Sequence, residues 1–365
     1  MKRSEAISIF GVMGGLLILA AMVVLYAQGY RLDLKKGITE TGLILVKSLP
    51  DGARVYLDGE LVAATDSSIP DLKEGAYTIK IEKDGQQSWE KTVPVRPRLV
   101  TSIEALLPPI SPSLTAVTQA GAKAVTPAPS GTKAVYISQK KLFLIPLNSP
   151  FLGFLRTRPQ ELAEEPEEGA FTSISSVTFS PTEDQVLVRA KLGSWLVPVG
   201  TGDPQEVTDT TKLLTTWETQ RKAQRTEIIQ NLEIADELQE IAVAKATSWS
   251  PDERKFLYEK KVSEKREFWV ANLANPLPVG ESALVKIGET TDANIRIFWL
   301  GDSRHFVSLE GSRVLLLDLD GSNRREIFNG KLNERIALSS ADSAQVMVLT
   351  SFSSSTANLY AISLR

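Results

Sequence analysis

The 365-residue sequence predicts a mainly β protein that follows one membrane-spanning helix, and three observations lead to this fold class. Residues 6–30 carry no charged side chain, and an apolar run of that length can cross a bilayer as a helix. A stretch of roughly 65 residues then alternates polar and apolar residues between turns, and the rest of the chain repeats a strand–turn–strand unit. We therefore expect a transmembrane helix, a small β-sandwich-like domain, and a degenerate β-propeller with a helical insertion.

The N-terminal run, residues 6–30, is interpreted as a retained signal-anchor rather than a cleaved signal peptide. A signal peptide has a shorter apolar core and a small-residue cleavage site, whereas this core continues to Tyr26. Lys2 and Arg3 precede the run and Arg31 follows it, so basic residues on its two sides are nearly balanced. The modules further along the chain favour residues 1–5 in the cytoplasm and the bulk of the protein outside it.

Composition excludes several classes of function. The 41 basic and 44 acidic residues give a net charge of −3, so the chain shows no basic face for nucleic acid. It contains no cysteine and a single histidine, which removes thiol chemistry, thiolate metal sites and most hydrolase and zinc mechanisms. The sequence has no G-x-S-x-G, H-E-x-x-H or phosphate-loop motif. We therefore predict a non-enzymatic protein with no catalytic residue, cofactor or metal site.

Residues 42–107 are expected to form the small β domain. LPDGARVYLDG, beginning at Leu49, contains two turns around a short alternating strand, and LKEGAYTIKIEKDGQQSW, beginning at Leu72, continues the pattern. These residues resemble the PEGA domain; the positions that match its pattern are Pro50, Gly52, Ala53, Val55, Tyr56, Asp58, Gly59, Gly75, Tyr77, Gly85 and Trp89. Lys73-Glu74 and Gln86 depart from that pattern. The resemblance implies an extracytoplasmic binding or spacer module and no catalysis.

Residues 118–365 repeat one unit and follow a proline-rich linker over residues 108–117. The turns near Pro129, Pro181, Pro251, Gly301 and Ser340 lie about 40 to 70 residues apart, a spacing typical of propeller blades. The Ser-Pro-Asp turn followed by an apolar strand resembles the WD40-like repeats of TolB-type propellers. Five to seven blades are expected, with the ring closed by pairing of the strand near Leu114 with C-terminal strands.

Two insertions interrupt the repeats. Residues 161–168 contain five glutamates and predict a solvated acidic loop. Residues 210–245 are rich in Leu, Glu, Gln, Lys and Ala and predict one or two helices. We hypothesise that these helices bind a partner, with Trp217, Ile228 and Leu232 as candidate contact residues. The alternative is an insertion that packs on the propeller rim.

Other residues that suggest a site have simpler interpretations. His305 is expected to be a strand residue that faces solvent or an adjacent blade. Aspartates of the repeat turns, such as Asp252, are expected to accept hydrogen bonds from local amides. The tryptophans other than Trp217 lie in predicted strands, where burial in the core is the usual outcome.

The leading hypothesis is an envelope-anchored scaffold protein that presents an extracytoplasmic propeller to other proteins. An alternative is a protein that binds cell-wall polysaccharide or surface glycans, which an exposed row of aromatic side chains would favour. A third class, an enzyme, would require two carboxylates that converge in the propeller mouth. The expected partners are the lipid bilayer, through the N-terminal helix, envelope proteins and, in the alternative, polysaccharide.

Overall fold

The computed structural model describes residues 3–27, 30–33, 37–147, 159–230, 232, 234–352 and 356–365. The chain divides into two compact units. The first comprises Met1–Leu107 with Pro278–Glu281, and the second comprises Pro108–Leu277 with Ser282–Arg365.

The first unit begins with helix α1 (Arg3–Ala27), whose large apolar side chains between Val12 and Val24 are exposed. Within the described residues, no helix combines the length and the hydropathy that crossing a membrane requires. Strands β1 (Tyr30–Asp33) and β2 (Gly37–Glu40) then pair antiparallel. The polar connector expected after residue 30 therefore contains a hairpin.

Seven strands form the small β domain as two facing sheets: β3 (Gly42–Leu49), β4 (Arg54–Leu57), β5 (Glu60–Ala64), β6 (Ser67–Leu72), β7 (Gly75–Glu82), β8 (Trp89–Val95) and β9 (Val100–Leu106). One sheet has the order β6-β3-β9 and the other β5-β4-β7-β8. Inward-facing residues such as Val46, Val55, Ile81 and Trp89 form their common core. The alternating strands between tight turns suggest antiparallel pairing throughout this domain, but β3 and β9 pair in parallel, from Leu43 with Val100 onward.

The second unit contains twenty strands: β10 (Leu114–Ala116), β11 (Lys123–Pro127), β12 (Lys133–Ser138), β13 (Lys141–Pro146), β14 (Gln160–Glu164), β15 (Ile174–Phe179), β16 (Gln185–Ala190), β17 (Ser194–Pro198), β18 (Gln205–Glu206), β19 (Ser248–Trp249), β20 (Lys255–Val262), β21 (Lys265–Asn272), β22 (Leu284–Thr290), β23 (Arg296–Trp299), β24 (His305–Glu310), β25 (Arg313–Asp318), β26 (Arg325–Asn329), β27 (Leu332–Ser339), β28 (Gln345–Thr350) and β29 (Asn358–Ser363). Helices α2 (Thr210–Gln230) and α3 (Asp236–Val243) lie between β18 and β19.

These strands form five four-stranded antiparallel sheets in the described part of the chain, which is the arrangement of a five-bladed propeller. Blade one is β11–β14, blade two β15–β18, blade three β19–β22 and blade four β23–β26; blade five joins β27, β28 and β29 to β10. Strand β11 contacts the first strands of both neighbouring blades, β15 and β27. The first strand of each blade therefore lines the centre of the ring.

The ring closes through strands from the two ends of this unit. Strand β10 pairs antiparallel with β29, with Leu114 opposite Ile362 and Ala116 opposite Tyr360. The Leu359 amide also donates to Thr118 Oγ1 at 2.9 Å. The closure expected from the sequence is confirmed, and part of the stretch expected to be a linker belongs to blade five.

Each blade has a turn before its second strand, and the hydrogen bonds of this turn explain the Ser-Pro-Asp sequence. In blade three, Ser250 Oγ accepts from the Lys255 amide at 3.0 Å and donates to Asp252 Oδ1 at 2.6 Å. The carboxylates Asp252, Asp302 and Asp342 each accept a hydrogen bond from a main-chain amide two residues later, at 2.8–3.1 Å. This confirms the local role expected for these aspartates, which hold the turn.

Strand β14 corrects the expectation for residues 161–168. The sequence predicted a solvated acidic loop, but the segment begins as the outer strand of blade one, with Leu162 and Ala163 buried. The flanking glutamates point the other way, and Glu161 pairs with Lys141 at 2.9 Å. The two buried residues are adjacent in sequence, where the pairing with β13 shifts register, so the segment lacks the period of two that would have revealed a strand.

Candidate functional site

The centre of the propeller contains a cavity of about 440 Å³ that the two helices help to enclose. Its walls come from the ends of β11 and β15, from β19, from α2, and from the chain that leaves α3. A smaller cavity of about 140 Å³ adjoins it and shares Pro127, Ala128, Pro129, Ser248 and Trp249. Helices α2 and α3, here called the helical arm (residues 210–245), therefore pack at the centre of the ring.

Helix α2 begins at an aspartate cap. Asp209 Oδ1 accepts from the Lys212 amide at 2.9 Å, which satisfies one of the free N–H groups of the first helical turn. From that start, one face of α2 turns Leu214, Trp217, Glu218, Arg221 and Arg225 toward the cavity. These residues recur every three or four positions, which is the spacing of one helical face.

Helix α3 is held by the start of blade three. Trp249 Nε1 donates to the Ala242 carbonyl at 2.8 Å, so β19 satisfies a carbonyl near the end of α3. Ile229 and Ala242, one from each helix, are buried with Phe256 and Ala271 of blade three in one apolar cluster. The helical arm thus shares a hydrophobic core with blade three.

Arg225 connects α2 to the turn of blade three. Its Nη1 donates to Glu253 Oε1 at 3.2 Å, and its guanidinium carbon lies 4.9 Å from the centre of the Trp249 ring. Burial lowers the pKa of Arg225, while the Glu253 carboxylate acts in the opposite direction. Its side chain is only 17% exposed, so this charge is placed inside the structure with a specific acceptor.

Arg221 lies one turn earlier on the same face of α2. Its Nη2 contacts Glu218 Oε1 as an ion pair. The same nitrogen is buried and, among the described residues, has no hydrogen-bond acceptor in suitable geometry. The charge of Arg221 is therefore paired inside the cavity with Glu218, whereas Arg225 is bonded to a residue outside it.

The boundaries between neighbouring blades, here called seams, show why Glu253 is available to Arg225. The fourth turn residue has positive φ in every blade: Gly131, Glu183, Glu253, Ser303 and Ser343. At three seams its side chain accepts from the third turn residue of the preceding blade: Ser130 to Glu183, Asp252 to Ser303 and Asp302 to Ser343. At the seam between blades two and three, Glu253 accepts from the helical arm instead.

His305 is buried in blade four between two carboxylates. Its Nδ1 lies 2.8 Å from Asp302 Oδ2, and its Nε2 lies 3.6 Å from Asp318 Oδ1. Burial lowers the His305 pKa, but the charge and hydrogen bond of Asp302 together with the charge of Asp318 outweigh it, and the net shift is upward. The Asp302 pKa is lowered to about 2, because the contacts with His305 and two main-chain amides outweigh burial. His305 lines neither cavity. The Asp302–His305 contact instead links the turn of blade four to strand β24.

The structure separates the three residues predicted to bind a partner. Trp217 is 7% exposed and faces the cavity. Ile228 and Leu232 are half-buried, and it is the neighbouring Ile229 that enters the cluster with blade three. Partner binding by these residues stays a prediction. Sequence reasoning missed Arg221, Arg225 and Glu253; the recurrence of a polar residue at the fourth turn position is the signal that points to Glu253.

None of the tryptophans is exposed at the surface. All six lie in the described residues; Trp249 and Trp269 are half-buried and the other four are buried. Phe352, which is 56% exposed, packs edge-on against Phe328 and Tyr360. Among the described residues that line the two cavities, Glu218 is the one carboxylate. In the described part of the chain, no three His, Asp or Glu residues are grouped closely enough to hold a metal ion.

Comparison with protein families identifies the small β domain. Residues 41–111 match the family model described as the PEGA domain, which confirms the resemblance seen in the sequence. That match covers strands β3 to β9 and leaves the strands of the propeller outside it. A search of the curated proteins finds no match.

Several solved structures are similar to about two thirds of this chain. A putative TolB from Agrobacterium tumefaciens is 12% identical, covers 65% of this chain and 76% of its own, and has a TM-score of 0.25. TolB from Acinetobacter baumannii is 14% identical over 66% of this chain and 49% of its own, with a TM-score of 0.27. An oligogalacturonate lyase in complex with manganese is 10% identical, covers 69% of this chain and 93% of its own, and has a TM-score of 0.29.

TolB structures are therefore among the structural matches, as the resemblance of the repeats predicted. This chain spans about half the length of the Acinetobacter baumannii protein. Scores this low carry no argument about function, and the propeller assignment rests on the sheet order of the chain itself.

Proposed function

We propose that this protein is a non-enzymatic, envelope-associated binding protein whose docking surface is the outward face of α2. The observation that carries the proposal is the way the helical arm is fixed. Its inner face is held by the cavity walls, by the Arg225–Glu253 hydrogen bond and by the Trp249–Ala242 hydrogen bond. Its outer face is left exposed along the whole of α2.

An ordered insertion of this size is not needed to close a propeller. The other seams bond turn to turn without helices, and blade five bonds back to blade one through the Ala341 amide and the Leu147 carbonyl at 2.9 Å. Ordering the backbone costs about 1–2 kcal/mol per residue, so the contacts of the inner face serve to hold the arm in one place. A rigid surface of this kind needs little further ordering when a partner binds.

The exposed residues of α2 suit a polar protein interface. They include Thr216, Thr219, Gln220, Lys222 and Ala223, which offer hydrogen-bonding groups and no large apolar side chain. A surface with this composition resembles the rim and wet regions of non-obligate interfaces. The partner is therefore expected to associate reversibly rather than as a permanent subunit.

The proposal also places the protein outside the cytoplasm, attached to a membrane by its N-terminal run. Residues 6–30 are uncharged, and large side chains of α1 such as Leu17, at 66%, are exposed. Apolar exposure of this extent is favourable in hydrocarbon and unfavourable in water. Alkaline carbonate extraction tests the attachment: we expect the full chain in the membrane pellet, and complete release into the supernatant would overturn it.

The alternatives considered from the sequence gain no support from the site. Glycan recognition would use a row of exposed aromatic rings, but none of the tryptophans is exposed, and Phe352 is the one exposed aromatic ring among the described side chains. A carboxylate enzyme would need two acids in one cavity, and Glu218 is the one acid among the described lining residues.

The experiment is affinity purification of the full chain from detergent-solubilised envelopes, with quantitative mass spectrometry. We expect a discrete protein to be retained by the wild type and lost from a Thr219→Arg/Ala223→Arg variant, which changes only exposed positions of α2. The matched control, Thr291→Arg/Ala293→Arg, makes the same two residue changes at exposed positions after β22, away from α2. Retention by cell-wall polysaccharide alone, or equal recovery with all variants, would refute the docking surface.

A further inference from the structure

The central cavity has the size and lining of a small-molecule site. Its volume of about 440 Å³ lies within the range of about 300–1,000 Å³ that ligand pockets occupy. Pro127, Phe179, Trp217 and Trp249 give it apolar walls, and hydroxyl groups such as that of Thr178 also line it. Sites of this type combine apolar walls with a few polar groups that fix the ligand's orientation.

The charged groups of the lining favour an anion. Three cations, Arg221, Arg225 and Lys245, face one carboxylate, Glu218. Arg225 is already committed to Glu253 outside the cavity. Arg221 forms an ion pair with Glu218 through its buried Nη2. The lining therefore holds more positive than negative charge, and Arg221 meets its carboxylate partner inside the cavity, where a ligand carboxylate would share the guanidinium.

From this arrangement we propose that the cavity binds a small organic carboxylate with a flat apolar body, and that Arg221 binds the carboxylate. A guanidinium presents two parallel N–H groups that match the two oxygens of a carboxylate. The apolar walls of Trp217 and Trp249 suit the body of such a ligand. A single negative charge is favoured over a dianion because Glu218 also lines the site.

This inference goes beyond the proposed protein partner and stands independently of it. The partner surface is the exposed face of α2, whereas the ligand would contact the opposite face. Substitutions on the exposed face, such as Lys222→Gln, should leave ligand binding unchanged, so the two proposals can fail separately.

The test is isothermal titration of the detergent-solubilised full chain with benzoate, with benzamide as a neutral ligand of the same shape and with inorganic phosphate. We expect saturable binding of benzoate, and about tenfold weaker binding of benzamide because the charge-assisted hydrogen bond is lost. Arg221→Gln should weaken benzoate binding by about tenfold or more, and Lys222→Gln, on the exposed face, by less than twofold.

Arg221→Lys is the second variant, which keeps the charge and removes the paired donors, and it should bind benzoate with intermediate affinity. Circular dichroism confirms that each variant is folded before titration. No saturable heat with benzoate, or equal affinity in wild type and both Arg221 variants, would overturn the proposal. Binding of phosphate without benzoate would overturn the assignment to organic carboxylates.

Discussion

Arg225 of helix α2 donates a hydrogen bond to Glu253 of blade three at 3.2 Å, in the place where other seams bond one turn to the next. Glu253 is equivalent in the repeat to Ser303 and Ser343, and all three have the same left-handed backbone. The helical arm therefore takes over a contact that the propeller makes elsewhere with its own turns. Through this contact the helical arm becomes part of the ring.

Removal of the Arg225 side-chain contact should loosen the arm before the rest of the propeller. We expect Arg225→Gln to lower the free energy of unfolding by about 1 kcal/mol, a modest loss because Glu253 is half exposed. Hydrogen exchange should become faster along α2 and α3. Lys222→Gln, which changes an exposed charge on the same helix, is the control. Unchanged exchange in Arg225→Gln would show that the contact does not hold the arm.

The turn-to-turn bonds should contribute to stability at the seam between blades four and five. Ser343→Ala leaves the Asp302 amide without the Oγ acceptor that lies 2.9 Å away. Loss of that acceptor should lower the free energy of unfolding by about 1–2 kcal/mol, because the donor is partly buried. Urea denaturation measures the change, and Ser322→Ala, in a more exposed turn, provides a comparison. Equal midpoints for the two variants would contradict this role.

Gly301 occupies the position that proline holds in three other blades, and it packs against the next blade. A Cβ atom there would collide with the carbonyl oxygens of Ser340 and Ala341. We expect Gly301→Ala to destabilise the protein by about 1–3 kcal/mol through overpacking of the seam. Thermal denaturation would reveal it, with Gly288→Ala as a control where the added Cβ meets no atom within 4 Å and φ is not positive. If Gly301→Ala left the denaturation temperature unchanged, the two blades would be able to move apart at this seam without cost.

Stability should depend on pH through His305 and Asp302. The raised pKa of His305 means that its stabilising charge is fully present below its ordinary value of 6.5 and is lost as the pH rises through the folded-state pKa. Asp302 contributes above 3.8, and this contribution is lost as the pH falls toward about 2. We therefore expect the urea midpoint of the wild type to fall when the pH rises from 6 to 9.

His305→Gln should remove most of that alkaline decrease. Because His305 is the single histidine in the chain, few other groups titrate in this interval apart from the terminal amine. Arg304 and Asp318 also act on His305, so Arg304→Gln should raise the pH at which the decrease occurs. The same slope in wild type and His305→Gln would contradict the assignment.

The repeat architecture could be predicted from the sequence because its signals are local. Ser250, Pro251 and Asp252 form a turn by contacts within six residues, so the same short pattern marks each blade. The pairing of β10 with β29 could also be anticipated, because a ring of repeats needs its ends joined. In contrast, the parallel pair β3–β9 brings together strands far apart in sequence, and no periodicity encodes such a partner.

The site was less predictable than the fold. The sequence predicts a helix over this insertion, but it does not say which of its faces the rest of the protein covers, so Trp217 was expected to meet a partner. The structure places it inside the cavity. The seam contact of Arg225 depends on where α2 crosses blade three, which only the tertiary structure determines.

Site-specific photo-cross-linking in intact cells tests most directly whether the outward face of α2 docks a protein. A photoreactive residue at Gln220, exposed on α2, is compared with one at Arg313, exposed on blade four. We predict that the residue at Gln220 forms one discrete cross-linked protein and that the residue at Arg313 does not. No adduct from Gln220, or the same adducts from both positions, would contradict it.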